Sequence, residues 1–456
     1  MAADFAARKA PDTVRLFALG ASTLVGFPNA PGLDFPSFLR LMLADAFPER
    51  RFEVVNCGIT AVNSHCVLDF AREVLDYEPD LLVVYMGHNE FVGPYGPTTP
   101  FVRMGNARWL IRGHMQLQRS RLTHAAKELF HGLSGLAGRQ PTRFGLHLVT
   151  GRIDWTQDSY GSTVANYRAN LDALAEAAAE KEVPVLLGTL VSNLRGFYPL
   201  RSDCGAVAGT DLAEKAGALL LEGREEQLGV LAEESLRTSP ECAAAHFELA
   251  RLQEVAGSDR EALASYGLAR DLDRVPFRAP SVFNEILRET GRRHGNVVLA
   301  DVEAAFSGAS PGGIVGDELM TDYLHPTIFG HYLLARTLIE AMALHGPAFG
   351  WGTQWPLAGF ESCRDRLGYT ALADILARND LILFLRNMPY LSPPPLLRER
   401  VAALLEGQLG RFRRLAPADR ERFRRAGGLA FLRKAVSFAP AWRRPALDAA
   451  LRRLGA

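Results

Sequence analysis

The sequence contains a serine and an aspartate–histidine pair of the types that activate a hydroxyl for nucleophilic attack. Ser22 follows the apolar run "RLFALG", where the simpler interpretation is a serine that caps a helix. Asp322 and His325 stand three residues apart in "TDYLHP", a spacing that lets the carboxylate reach one imidazole nitrogen. A serine needs such a base, and the base needs an orienting group. The alternative for the second motif is a helix-capping aspartate beside a surface histidine.

Two further apolar runs end on residues that can stabilise a developing negative charge. "VVNCGIT" offers the backbone N–H of Gly58, and "YMGHNE" offers the side-chain amide of Asn89. With the N–H of Ser22 they predict an oxyanion hole, whose donors lower the barrier to acyl transfer. Taken singly, Gly58 and Asn89 are equally typical of turns. His88 and His331 are rival bases, but neither has a comparably placed carboxylate.

Five short apolar runs alternate with amphipathic segments and predict the elements that position these residues. The strand-like runs are 14–20, 52–58, 81–87, 183–190 and 296–301. The helical patterns are 35–47, 64–77, 160–181 and 328–345. This alternation is typical of an α/β fold with a buried parallel sheet. Because ligands bind beyond the carboxyl ends of such strands, the candidate residues are expected to meet at one sheet edge.

The order of these motifs resembles the four sequence blocks of the SGNH hydrolases, also called GDSL-type esterases and lipases. The blocks here are Gly20–Ser22, Asn56–Gly58, Gly87–Asn89 and Asp322–His325. The resemblance covers residues 12–205 and 275–348. It implies a flavodoxin-like, three-layer α/β/α fold. The phrases "GASTLVGFP" and "YMGHNEFVGP", with repeat-like helices before the last block, resemble a bacterial subgroup of the family.

The resemblance implies a role for each matching residue. Ser22 would be the nucleophile, His325 the base and Asp322 its orienting group, and Ser22, Gly58 and Asn89 would form the oxyanion hole.

Two positions depart from the commonest family pattern. Ala21 and Glu90 stand where aspartate is more usual, which removes no catalytic group but weakens any inference about the preferred substrate.

Three residues outside the blocks are candidates for substrate binding. Asn193 and Arg195 follow the fourth strand-like run in "TLVSNLRGF", and a polar loop cluster is the alternative. Arg278 suits a bidentate clamp on a carboxylate or phosphate, and a structural ion pair with Asp273 is the alternative.

The remaining segments divide the chain into four predicted parts. The sheet domain occupies 1–205 and 275–350, with a partly helical insert at 91–159 expected to cover the site. The alternative for this insert is a surface excursion that does not cover the site. Residues 206–274 resemble a degenerate pair of tetratricopeptide repeats, with a helical hairpin of other origin as the alternative. The repeat positions are Ala216, Leu228, Ala232, Pro240, Ala250, Ala262, Tyr266 and Ala269.

An arginine-rich helical region is predicted from 351 to 456. Between Arg398 and Arg453 there are 14 Arg and one Lys against 5 acidic residues, so the segment carries about ten positive charges. Such a surface serves an anionic partner or an acidic face of the same protein, or it is simply a set of solvated helix faces.

The composition limits the classes of partner and cofactor. The 456 residues carry no net charge, which argues against nucleic acid as a partner. No residue cluster has metal-ligand spacing and no glycine loop binds phosphate, so no cofactor is expected. The five cysteines are scattered, and we expect them to be reduced thiols.

The expected location follows from the absence of apolar segments in the sequence. The N-terminus lacks the apolar stretch of a signal peptide, and no run approaches the ~20 apolar residues of a membrane span. No transmembrane segment is therefore expected, and the chain as written is predicted to be cytoplasmic. An extracytoplasmic or membrane-anchored protein is the alternative if an upstream segment was removed.

The sequence favours a serine ester hydrolase that forms an acyl-enzyme on a small-molecule or acylated-conjugate substrate. One alternative is an acyltransferase that uses the same three residues. Another is an interaction scaffold with an inactive hydrolase fold, which would bind a protein partner through the tetratricopeptide-like helices.

Overall fold

A parallel sheet of five strands lies at the centre of the fold. The computed structural model describes residues 5–97, 107–119, 158–205, 209–345, 357–387 and 395–454. The strands are β1 Thr13–Gly20, β2 Arg51–Asn56, β3 Leu81–Tyr85, β4 Val185–Gly188 and β5 Val297–Ala300. They are ordered β2-β1-β3-β4-β5, which is the flavodoxin-like order. The predicted α/β fold, and the fold that the SGNH resemblance implies, are confirmed.

The register of the strands brings their carboxyl ends to one edge. Gly20 at the end of β1 pairs with Tyr85 at the end of β3, and Ala18 pairs with Asn56 at the end of β2. The segments that follow these three strands therefore begin side by side. β3 and β4 are buried along their whole length, which explains why they read as continuous apolar runs.

Helices cover both faces of the sheet. In the sheet domain the helices are α1 Ser22–Val25, α2 Phe35–Ala46, α3 Ser64–Val74, α4 Arg108–Arg119 and α5 Asp158–Glu180. After the helical insertion come α10 Ser281–Arg293, α11 Val302–Gly308 and α12 Ile328–Leu344. α2 packs against α12 on one face, and α3, α5 and α10 pack together on the other. Of the predicted insert at 91–159, residues 98–106 and 120–157 lie outside the described residues.

Four helices make up the insertion between β4 and β5. They are α6 Gly209–Leu221, α7 Glu225–Thr238, α8 Ala243–Val255 and α9 Asp259–Asp271, and successive helices pack against each other. Seven of the eight repeat-type positions are buried, namely Ala216, Leu228, Ala232, Ala250, Ala262, Tyr266 and Ala269. Descent from tetratricopeptide repeats stays a prediction.

The expectation that all cysteines are free is wrong for one pair. Cys204, in the loop before the insertion, forms a disulfide with Cys242, the N-cap residue of α8. The two lie 38 positions apart, a separation that carries no sequence signal. Cys57, Cys66 and Cys363 are free.

In the part of the chain that the structure describes, six helices follow the sheet domain, and five of them share an apolar core with its loops. They are α13 Phe360–Arg366, α14 Ala371–Arg386, α15 Pro395–Arg414, α16 Pro417–Arg425, α17 Gly428–Val436 and α18 Arg444–Arg452. Ile382 of α14 and Leu405 of α15 lie in one buried cluster with Phe277 and Tyr323 of the sheet domain. These helices are therefore joined to the sheet domain by apolar packing.

The arginines of this region fall into two groups. Arg400, Arg411 and Arg443 form ion pairs between helices or with the sheet domain, whereas, among the described residues, Arg422 and Arg425 pair only within their own helix and have side chains that are 74% and 79% exposed. In the described part of the chain, no helix combines the length and the apolar character that crossing a membrane requires.

Candidate active site

Ser22, His325 and Asp322 form a hydrogen-bonded line at the carboxyl edge of the sheet. Nε2 of His325 lies 2.7 Å from Oγ of Ser22, and Nδ1 lies 2.7 Å from Oδ2 of Asp322. An ionised carboxylate can only accept a hydrogen bond, so Nδ1 carries the hydrogen that is donated to Asp322. Nε2 is then free to accept a hydrogen bond from the serine hydroxyl. The serine and the histidine are 303 positions apart in the chain. The arrangement is that of a nucleophile, a base and an orienting acid.

Backbone hydrogen bonds fix the carboxylate. Oδ1 of Asp322 accepts from the N–H groups of Leu324 and His325, both at 2.9 Å, and its side chain is fully buried. The carbonyl of His325 in turn accepts from the N–H and the hydroxyl of Thr321, at 2.8 and 3.0 Å. Thr327 then caps α12 by accepting from the Gly330 N–H. The loop that carries the imidazole is therefore held on both sides.

The position of Ser22 depends on a close approach between β1 and β3. A Cβ atom at Gly20 would lie 2.2 Å from the carbonyl oxygen of Tyr85, so the strand can end here only on glycine. Ser22 begins the one-turn helix α1, so its own N–H has no partner within that helix. The N-cap residue of α1 is Ala21, and the Ser22 side chain is directed to the histidine.

The other two candidate donors follow β2 and β3, and both have partners in this structure. The Gly58 N–H donates to Oδ1 of Asn56 at 2.9 Å, and Nδ2 of Asn89 donates to the Val62 carbonyl at 3.0 Å. The Asn89 amide has a second hydrogen available for a substrate oxygen. Nδ2 of Asn56 also donates to the Leu24 carbonyl at 2.6 Å, which ties the end of β2 to α1.

The rival bases are buried, and neither forms a hydrogen bond with the serine hydroxyl. Burial, reinforced by the charge of His325, lowers the pKa of both His88 and His331 to about 3. Nδ1 of His88 accepts from the Ala279 N–H at 3.1 Å. A base with so low a pKa removes a proton poorly near neutral pH.

Two aromatic residues that the sequence analysis did not single out contact the His325 ring. The Phe27 ring centroid lies 4.8 Å from the imidazole centroid, and that of Phe384 lies 5.9 Å from it. The two phenyl rings are 5.3 Å apart. Phe27 comes five positions after Ser22, but Phe384 belongs to α14, and no local pattern connects it with the motifs.

The three further candidates for substrate binding have partners within the protein. Nδ2 of Asn193 donates to Asp317 at 2.8 Å, its Oδ1 accepts from the Gly196 N–H at 2.7 Å, and the residue is fully buried. Arg278 is also buried and donates to the carbonyls of Asn193 and Phe197. Neither side chain is placed on an open surface.

The charge of Arg278 acts on Asp273, its partner in the ion-pair alternative. Burial raises the pKa of Asp273 to about 6, and the positive charge of Arg278 opposes this rise. Arg195 pairs with Glu254 at 3.0 Å and lines a cavity together with Phe197 and Phe247.

Glu90, one of the departures from the family pattern, lies beneath the oxyanion-hole candidates. Its two carboxylate oxygens accept from the N–H and the hydroxyl of Ser64, both at 2.7 Å. Complete burial raises the pKa of this carboxyl to about 7. The Ser64 hydroxyl also accepts from Nδ2 of Asn170 at 2.9 Å, so Glu90 belongs to a buried polar network behind Asn89.

Among the described residues, no group of three or more histidine, cysteine, aspartate or glutamate side chains could hold a metal ion.

Comparisons with known proteins yield similarities in structure alone. A scan against family models finds no match, and neither does a search of curated proteins. The fold is similar to an acetylxylan esterase from Geobacillus stearothermophilus, with 14% identity and a TM-score of 0.34 over 72% of this chain and 94% of that one. A lipase/acylhydrolase from Enterococcus faecalis is 16% identical, with a TM-score of 0.32 over 72% of this chain and 95% of that one. A GDSL-like lipase from Bacteroides thetaiotaomicron is 10% identical, with a TM-score of 0.32 over 73% of this chain and 88% of that one.

Proposed function

We propose that the protein is a serine ester hydrolase that works through an acyl-enzyme. The observation that carries the proposal is the pair of 2.7 Å contacts that join Asp322, His325 and Ser22 across the fold. A hydroxyl, a base and a buried carboxylate in this geometry can form and resolve an ester of the serine.

In the proposed reaction, Oγ of Ser22 attacks the ester carbonyl carbon while Nε2 of His325 takes the hydroxyl proton. The negative charge that develops on the carbonyl oxygen is received by the Ser22 N–H and by the second hydrogen of the Asn89 amide, and the Gly58 N–H joins them when it exchanges its hydrogen bond to Oδ1 of Asn56 for one to the substrate. The bond to the alcohol then breaks, and His325 gives its proton to the leaving oxygen. Water repeats the sequence on the acyl-enzyme, which releases the acid and restores Ser22.

The proposal is tested by Ser22→Ala. A fluorophosphonate probe should label the unmodified protein, and short-chain aryl esters should be turned over. Both signals should be lost in the variant, with the rate constant reduced by a factor on the order of 10⁴ or more. Ser437→Ala, which removes an exposed hydroxyl on another helix end, is the matched control and should keep both signals. Equal labelling of the two variants would refute the proposal, and an inactive scaffold would show no labelling at all.

A second candidate, acyl transfer, is favoured by the covering of one side of His325. Phe27 and Phe384 pack on the imidazole, which leaves less room for water around the base. An alcohol or amine bound beside such a base can compete with water for the acyl group. Product analysis in the presence of candidate acceptors distinguishes the two: free acid alone supports the hydrolase, and acylated acceptor supports the transferase.

A further inference from the structure

A cavity of about 790 Å³ opens where three parts of the chain meet. Phe197 comes from the loop after β4, Phe247 from α8 of the helical insertion, and Leu381 and Leu404 from α14 and α15. The sheet domain, the insertion and the C-terminal helices therefore each supply a wall. A cavity of this size is within the range of small-molecule sites.

The cavity wall carries more positive than negative side chains. Five arginines line it, namely Arg195, Arg251, Arg378, Arg400 and Arg411. Three carboxylates also line it, those of Asp317, Glu318 and Asp374. Three of the arginines each have a carboxylate partner: Arg195 pairs with Glu254, Arg251 with Glu248 and Arg400 with Asp317. The positive charge that remains to attract an anion is therefore on Arg378 and Arg411.

Two of these arginines share a single carboxylate. Nε of Arg378 and Nε of Arg411 lie 3.1 and 3.0 Å from the same oxygen of Asp374. Among the described residues, their terminal Nη atoms make no hydrogen bond. The pair thus offers donors in the forked geometry that binds carboxylate and phosphate groups.

One face of α14 connects the cavity with His325. Asp374, Arg378 and Leu381 line the cavity at a spacing that places them on the same side of the helix. Phe384 follows Leu381 by three positions and contacts the imidazole. Helix α14 therefore extends from the cavity to the imidazole.

The cavity also abuts the loop of the base. Thr321 and Thr327, on either side of His325, line it, and so does Pro28, the neighbour of Phe27. In the proposed reaction His325 protonates the leaving alcohol, so an alcohol half that extends past the loop of the base would reach this cavity.

We propose that the arginine-lined cavity binds an anionic group, a carboxylate or a phosphate, on the alcohol half of the substrate. The inference rests on the proposed ester hydrolysis for its role in the reaction, whereas anion binding by the cavity is measurable without turnover.

The binding experiment uses the full chain and two probes, citrate for carboxylates and pyrophosphate for phosphates, titrated calorimetrically at constant ionic strength. Arg378→Gln/Arg411→Gln should weaken binding of the preferred probe by about tenfold or more, because charge-assisted hydrogen bonds are lost. Asp374→Asn should tighten it, since the neutralising carboxylate is removed. Arg422→Gln/Arg425→Gln removes two charges from exposed sites on α16 and should leave the affinity unchanged. Binding that is equal in all four proteins, or absent from the unmodified one, would overturn the proposal.

A kinetic experiment then connects the cavity to the alcohol half. Acetyl esters of ω-hydroxycarboxylates with progressively longer methylene chains are compared with the matching uncharged alkyl acetates. The ratio of kcat/KM for charged over uncharged esters should reach a maximum at one chain length and fall about tenfold at that length in Arg378→Gln/Arg411→Gln. A ratio that is flat with chain length and unaltered by the variant would place the anion elsewhere. If no ester is hydrolysed, the proposed function fails, and the titrations still decide whether the cavity binds anions.

Discussion

At the residue scale, the environment of His325 combines a local motif with a distant contact. The imidazole takes its orientation from Asp322, three positions away, and part of its wall from Phe384, which is supplied by a helix beyond the sheet domain. The surroundings of this imidazole can therefore be altered without a change in Ser22, Asp322 or His325.

Replacement of Phe384 by alanine should lower kcat/KM for aryl esters by about tenfold, because the imidazole loses the ring that restricts its position. Steady-state kinetics measure the effect. Leu383→Ala is the matched control, since that side chain is 47% exposed on the same helix. Activity in Phe384→Ala equal to that of the control would show that the ring contact has no influence on the reaction.

Glu90 makes stability depend on pH at the same scale. Its carboxyl has a pKa of about 7 in the folded protein, above its ordinary value of 4.5, so folding favours the protonated form. This contribution is present below about pH 4.5 and is lost as the pH rises through 7. The free energy of unfolding should therefore fall between pH 5 and pH 8, by about 2 kcal/mol from this group.

Glu90→Gln keeps a hydrogen-bonding side chain without the ionisation and should remove most of that fall. Urea denaturation at the two pH values measures it, and Glu73→Gln, on the exposed side of α3, should behave like the unmodified protein. If Glu90→Gln and the unmodified protein lose stability in parallel, the buried carboxyl is not responsible.

At the element scale, a disulfide joins the segment before the first helix of the insertion to the segment after its second helix. The Cys204–Cys242 disulfide closes a loop that contains α6 and α7, and α8 begins at the second cysteine. A cross-link over such a loop restricts the conformations of the unfolded chain more than those of the folded protein, which raises the free energy of unfolding.

Cys204→Ser/Cys242→Ser should cost about 2–4 kcal/mol of unfolding free energy. Guanidinium denaturation measures the loss. A reducing agent should lower the stability of the unmodified protein to that of the double variant and leave the variant unaffected. Insensitivity of the unmodified protein to the reducing agent would exclude a stabilising disulfide.

At the scale of the whole molecule, sequence patterns and tertiary packing determine different parts of the fold. The parallel sheet was predictable because its strands are continuous apolar runs that end on glycine or polar residues. Between these runs lie segments whose apolar residues recur with helical periodicity. The contact between Asp322 and His325 was predictable because residues three positions apart in a turn lie on the same side of the chain. Phe384, the cavity and the cysteine pair were not, since each depends on how helices far apart in the chain dock. Asn193 was singled out by its position after a strand, yet its amide is used to bind Asp317.

The shared apolar core predicts that the C-terminal helices and the site unfold together. Ile382→Ala removes a fully buried side chain from that core and should cost about 2–5 kcal/mol. The temperature at which esterase activity is lost should fall with the temperature of global unfolding measured by circular dichroism. Leu376→Ala, on an exposed part of α14, should change neither. Retained activity above the unfolding temperature of the C-terminal helices would show that the two parts unfold separately.

The 303 positions between Ser22 and His325 have a consequence for synthesis of the protein. A ribosome that adds roughly 5–20 residues per second needs on the order of 15–60 s to pass from the serine codon to the histidine codon. During that interval the nascent chain holds Ser22 without the imidazole that the proposed mechanism requires, so we expect it to hydrolyse no esters. Activity should appear only after the segment that carries Asp322 and His325 has been translated and has folded against the sheet.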